Sequence, residues 1–201
     1  MNIDLEAQIR SARRGLQLRP EEVDCKRIAP VFVPASFFSY GNWPGPYCRL
    51  RARDIGLTWS VLLPDQTMRY VDTGMVEYWE ARGIDWKSVA LCNLAEHSGD
   101  NPGTHGFNRT NGQVYAIAMM YPDGIGPSRL LLADRLAALF PSGYRVALPE
   151  MSCALAFSLD TTAEEMGSLQ NMIDHCFQKG TRPLAPGIYA PEDLAPAVDP
   201  A

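Results

Sequence analysis

The chain has no apolar run of about 18 residues, the length a membrane-spanning helix needs. Its opening, MNIDLEAQIR, has no apolar signal core, so the expectation is a cytoplasmic protein that does not meet a membrane. Basic residues are not in excess. Lys+Arg 18 against Asp+Glu 23 leaves a net charge of −5, which argues against nucleic acid as a partner, since its binders present a basic stripe. The basic cluster Arg10, Arg13, Arg14 and Arg19, in and just after a predicted N-terminal helix, reads as a solvated helix face rather than a nucleic-acid or partner arm. Cysteines number 5 and lie far apart, at Cys25, Cys48, Cys92, Cys153 and Cys176. An odd, scattered set without a signal peptide fits reduced thiols rather than a disulfide framework. Cys153 and Cys176 fall on predicted apolar faces, where a thiol is a small core residue. There is no internal repeat and no long low-complexity stretch. No P-loop, dinucleotide fingerprint, nucleophile elbow or metal-ligand spacing occurs, so no cofactor and no metal are expected.

What the chain does have is a two-sided apolar strand at its centre. In VYAIAMM, Val114, Ala116, Ala118 and Met120 share one face and Tyr115, Ile117 and Met119 the other. A strand apolar on both faces is covered on both sides. The turn YPDGIGP, the helical pattern SRLLLADRLAALF and the apolar stretch YRVALPEMSCALAFS follow it. The order strand, turn, helix, then one or two strands predicts a mixed α/β (α+β) fold. It has a central mixed sheet flanked by helices, in a single globular domain. The length of 201 residues, 46% hydrophobic and 20% charged, suits one sizeable core.

Around that centre, 1–27 is expected to be an N-terminal helical segment, with Leu5, Ile9, Ala12 and Leu16 at helical spacing. The α/β domain spans 28–182. Its first half, 28–97, has a strand from Leu57 to Leu63 that turns at Pro64 and Asp65 and pairs back through Met68 to Val71. Two short helices follow, one from Asp72 or Thr73 to Gly83 and one capped by Asp85. The polar, Gly-rich 98–112 reads as a loop between the halves. The second half, 113–180, has predicted strands 114–120 and 146–157 and helices 128–140 and 163–179. Thr162 and Glu165 give the last helix a capping box, and Gly180 ends it. Residues 183–201 read as an extended Pro-rich tail with partial disorder.

The order of several blocks resembles the YtpQ-like family of uncharacterised bacterial proteins. IAPVF at 28–32, LTWSVLLPDQTMRYV at 57–71 and MVEYWEARGIDWKSVALCNL at 75–94 are similar to its early Pro-containing segment, its hairpin and its segment ending in Asn-Leu. DGIGPSRLLLADRL at 123–136, VALPEMSCALAF at 146–157 and RPLAP at 182–186 resemble its Ser-Arg-Leu-Leu block, the strand after it and its late Pro-Leu element. The resemblance, from Ile28 to Tyr189, implies a divergent member with a mixed α/β fold and no established activity. One departure stands out: after Pro149 the family pattern shows Asn-Arg-Asp, where this chain has Glu150, Met151 and Ser152. If that charged pair serves a site in relatives, this chain lacks it.

Two places carry candidate sites. Gly124, Gly126 and Ser128 form a glycine-bearing turn that opens a helix. Such a turn presents N–H groups to an anion, with Arg129 holding it and His105 as acid or base. The competing account is a turn with Ser128 as N-cap, and the spacing, with Pro127 removing a donor, favours it. His97, Asp100 and His105 near Glu96 match no metal spacing, and a hydrogen-bonded helix end joining His97 to Asn93 is the simpler reading. Cys92 lacks a facing base, and His175 lies beside an apolar stripe. The second place is the aromatic loop 36–47, with Phe37, Phe38, Tyr40, Trp43 and Tyr47. These rings either form an interaction surface, for a protein partner or a second copy, or close one end of the core. The expected function is binding of a protein partner or small ligand, of an accessory or immunity type. The alternative is a hydrolase or transferase acting on a phosphate-bearing substrate at the turn 123–129.

Overall fold

The computed structural model describes residues 19–39, 43–63, 67–100, 103–121 and 123–197. The predicted N-terminal helix, the basic residues Arg10 to Arg14, Pro64, Asp65 and Tyr40 lie outside them.

The fold is mixed α+β, and its strands divide between two antiparallel sheets rather than forming one mixed sheet. Sheet one contains β1 (Ile28–Pro34), β2 (Tyr47–Arg49), β3 (Ile55–Leu62) and β4 (Met68–Tyr70); β3 is its centre, with β1 on one side and β2 and β4 on the other. Helices α1 (Thr73–Glu80) and α2 (Trp86–Ser98) follow. Each starts where an aspartate accepts an orphan N–H: Asp72 from Met75 at 2.9 Å and Asp85 from Ser88 at 3.2 Å. Sheet two has the order β5 (His105–Asn108), β6 (Val114–Met119), β8 (Cys153–Ser158), β7 (Tyr144–Glu150), β9 (Ile188–Tyr189). Helices α3 (Ala133–Leu139) and α4 (Ala163–Lys179) lie in the second half of the chain. The capping box of α4 is present, with Thr162 Oγ1 accepting from Glu165 and Glu165 accepting from the Thr162 N–H.

Each sheet turns one face to a shared core and the other to helices. Ala29, Val31 and Val33 of β1 meet Ile117 and Met119 of β6, Leu148 of β7 and Ala154 and Ala156 of β8 in the shared core. Trp59 and Val61 lie under α1 and α2 with Met75, Trp79 and Trp86. Ala116, Ala118, Cys153, Leu155 and Phe157 lie under Leu169 and Ile173 of α4. The two-sided strand is therefore interior, as its pattern requires. Met120 falls past its end and is exposed.

Several expectations are corrected. Residues 146–157 are two strands, not one, with the turn at Met151 and Ser152. Met151 therefore packs into the shared core, while Cys153 lies under α4. The turn forms because the Glu150 carboxylate accepts the Ser152 N–H at 2.6 Å. It accepts the Arg182 N–H as well, at 3.0 Å, so Glu150 is a buried clamp on the loop after α4. The helix covers the larger-residue face of β8, leaving Ala154 and Ala156 to the shared core. Helix 128–140 is a 3-10 turn, Pro127–Leu131, followed by α3 after a break at Leu132. The polar stretch 98–112 contains β5. The tail is extended but packed: β9 pairs with β7, Leu184 and Leu194 are buried, and Pro196 bridges Leu50.

Candidate functional site

The turn 123–129 is a junction between the sheets. Gly124 has φ +74°, a conformation that favours glycine. A Cβ on Gly126 would stand 2.8 Å from the Met119 carbonyl. Ser128 is not an N-cap. It is buried, and its hydroxyl donates to the Pro30 carbonyl at 2.6 Å. Together with Asn93, whose Nδ2 donates to the Ile28 carbonyl at 2.9 Å, it satisfies the free edge of β1. Asn93 therefore bonds β1 rather than His97. Proline 30 is tolerated in this strand because the edge asks no N–H of it. Arg129 is only 2% exposed. Its guanidinium pairs with Asp123 at 2.6 Å and lies 3.5 Å from the Tyr121 ring centroid. The hydroxyl and the cation that an anionic substrate would need are thus engaged within the protein. His105 lies exposed on the edge strand β5, its ring 3.0 Å from the Thr104 hydroxyl.

The aromatic segment behaves differently at its two ends. Phe37 is buried in the shared core, with Trp43 at 4.8 Å and Tyr70 at 5.5 Å between ring centroids. Phe38 is half-buried and stacks on Tyr47 at 4.5 Å with planes 20° apart. Tyr47 is 46% exposed. The rings therefore close one end of the core and leave an aromatic rim.

Beside that rim lies a cavity of about 550 Å³ lined by Ser36, Phe38, Ser39, Arg49, Arg53 and Ala197, among others. Such a volume is within the range of small-ligand sites. Arg49 and Arg53 are exposed, and neither guanidinium has a hydrogen-bonding or ionic partner among the described residues. Gly56 belongs to the same wall, because a Cβ there would collide with the Phe38 ring. The segment CRLRARD at 48–54 explains the geometry. Leu50 and Ala52 point inward and are buried, so the arginines between and around them point out. Sequence reasoning missed this second basic cluster, although its alternation was a legible signal.

The arginine loop is held on both sides. The Ala35 N–H donates to the Asp54 carbonyl at 2.9 Å. From the tail side, the Arg51 N–H donates to Ala195 O at 3.0 Å and the Ala52 N–H to Asp193 O at 2.8 Å. The Ala197 N–H returns to Arg49 O at 2.8 Å. Tyr189 donates its hydroxyl to the Asp54 carboxylate at 2.5 Å. Burial, then that carboxylate, push the Tyr189 phenol well above its ordinary range, so it remains a donor. A second cavity, of about 310 Å³, opens near Gln113, Leu139 and Phe140, and among the described residues lining it Asp160 is the one that is charged.

Two other groups have strongly perturbed protonation. Glu165 is held down to about 2, first by the hydrogen bonds of Arg109 and then by the Thr162 N–H. Cys153 is pushed up to about 12, by burial first and then by Cys176, whose sulfur lies 3.8 Å away. Both are structural: one clamps the start of α4 to the strand hairpin, the other packs α4 on β8. Among the described residues no helix is long and apolar enough to cross a membrane. Comparisons with family models, curated proteins and solved structures find no match to this chain.

Proposed function

We propose that this is a cytoplasmic binding protein, not a catalyst, and that its site is the cavity between 35–39 and the arginine loop 49–54. The single observation that carries this reading is the pair of unpartnered guanidinium groups at a cavity with an aromatic wall. Among the described residues lining it there is no histidine, carboxylate or thiol, so they offer cation and surface but no general base or nucleophile. The rigid mounting of the loop by the tail fits a site, since binding groups work best when held in place beforehand. An accessory or immunity-type role and kinship with the YtpQ-like family belong to the same proposal; the kinship rests on the ordered sequence blocks alone.

The test is amide chemical-shift mapping of the isotope-labelled chain against a library of neutral, cationic and anionic fragments. Shifts gathered at 35–39 and 49–56 are the expected result. Shifts gathered at 123–129, with none at the cavity, would return the site to the turn and revive the enzyme reading.

A further inference from the structure

We propose that the ligand is a small molecule bearing a phosphate or carboxylate on an apolar, ring-containing body. The inference rests on the reading that the cavity is the site and adds what it holds. Two guanidinium groups are the strongest element. Arginine cannot lose its charge near neutral pH, and its planar fork matches the paired oxygens of a carboxylate or phosphate. Among the described residues neither Arg49 nor Arg53 has an ion-pair partner, and the Asp54 carboxylate accepts from Tyr189 instead. The chain as a whole carries −5, so this positive rim is local and not part of a general basic surface.

The other walls define the body. Ser36 and Ser39 sit on the 3-10 turn Ala35–Ser39 and bring hydroxyl donors to the same space. Phe38 supplies an aromatic wall, backed by Tyr47 on one side and fixed against Gly56 on another. A bare ion would use only the arginines. A neutral apolar molecule would leave two cations partly desolvated with nothing opposite them, which costs free energy. An anionic group attached to a ring uses both halves of the cavity. A dianion should be held more tightly than a monoanion, because two cations face it.

Calorimetric titration of the full chain tests this, with phenyl phosphate as the main probe. Phenylacetate, inorganic phosphate, benzyl alcohol and benzylamine are the comparators, and Arg49→Gln and Arg53→Gln the variants. Both arginines are exposed and unpartnered, so each variant should melt within about 2 °C of the parent. The expected result is saturable binding of phenyl phosphate, weaker binding of phenylacetate, and none of benzylamine or benzyl alcohol. Each Arg→Gln change should weaken phenyl phosphate by about tenfold or more, the loss of one charge-assisted hydrogen bond. Inorganic phosphate binding as well as phenyl phosphate would overturn the apolar half of the inference. Benzyl alcohol binding as well as phenyl phosphate, in parent and variants alike, would leave the site standing and overturn the ligand class. Phenyl phosphate binding untouched by either variant would overturn the site itself. No binding of any anion in the panel would overturn the class.

Discussion

Ser128 matters through one atom. Its hydroxyl satisfies the Pro30 carbonyl at the covered edge of β1, so Ser128→Ala leaves a buried acceptor without a donor. The expected cost is about 1–3 kcal/mol, read as a lower midpoint in urea, with anion binding at the cavity unchanged. A loss of ligand binding without a loss of stability would mean that Ser128 touches the ligand. Glu165 gives a pH signature. Its carboxyl falls from an ordinary 4.5 to about 2 in the folded chain, so ionisation favours the folded state. That contribution is complete above pH 4.5 and drains away as pH falls toward 2. The pair with Arg109 lies at the surface and is partly exposed, so the effect is small and screened by salt. Arg109→Gln should flatten this part of the stability curve; an unchanged curve would show that the pair does not hold the helix start. The thiols divide by exposure. Cys92 is exposed and should react with maleimide in the native chain, while buried Cys153, held protonated to about pH 12, should react only on unfolding.

At the scale of elements, the helices α1, α2 and α4 and the two-sided strand were legible, because their signals are local. Asp72, Asp85 and Thr162 cap where capping chemistry says they should, and the alternation in 114–119 placed β6 inside a sheet. The elements that were misread depend on partners far along the chain. β1 carries Pro30 and Pro34 and looks unlike a strand until its edge is seen closed by Asn93 and Ser128. β2 is three residues in a Gly- and Pro-rich segment, and β5 lies in a polar, glycine-bearing one. The tail reads as loose because its order comes from hydrogen bonds to 49–54, more than a hundred residues earlier. Two changes test the packing. Leu136 of α3 is 1% exposed in the shared core, so Leu136→Ala should cost about 2–5 kcal/mol; a loss of only a few tenths would place α3 outside the core. Tyr189→Phe removes the bond to Asp54. It should cost about 1 kcal/mol and weaken ligand binding, because the arginine loop loses one of its anchors.

On the scale of the molecule, two antiparallel sheets share a core, helices cover their outer faces, and the tail ties the sheets together at the arginine loop. In the aromatic segment Phe37 and Trp43 close the core, as one of its two accounts expects, while Phe38, stacked on Tyr47, lines the cavity. The arginines were not singled out because they act together only once β2, β3 and the tail have folded around them. The turn 123–129 had the more familiar look of a site, and its groups are used to join the sheets. The central claim is that the anion site is the cavity and not that turn. A crystal of the full chain soaked in phenyl phosphate tests it most directly. The account predicts density for the phosphate between Arg49 and Arg53, with the ring against Phe38. Density at 123–129 beside Arg129, with the cavity empty, would contradict it.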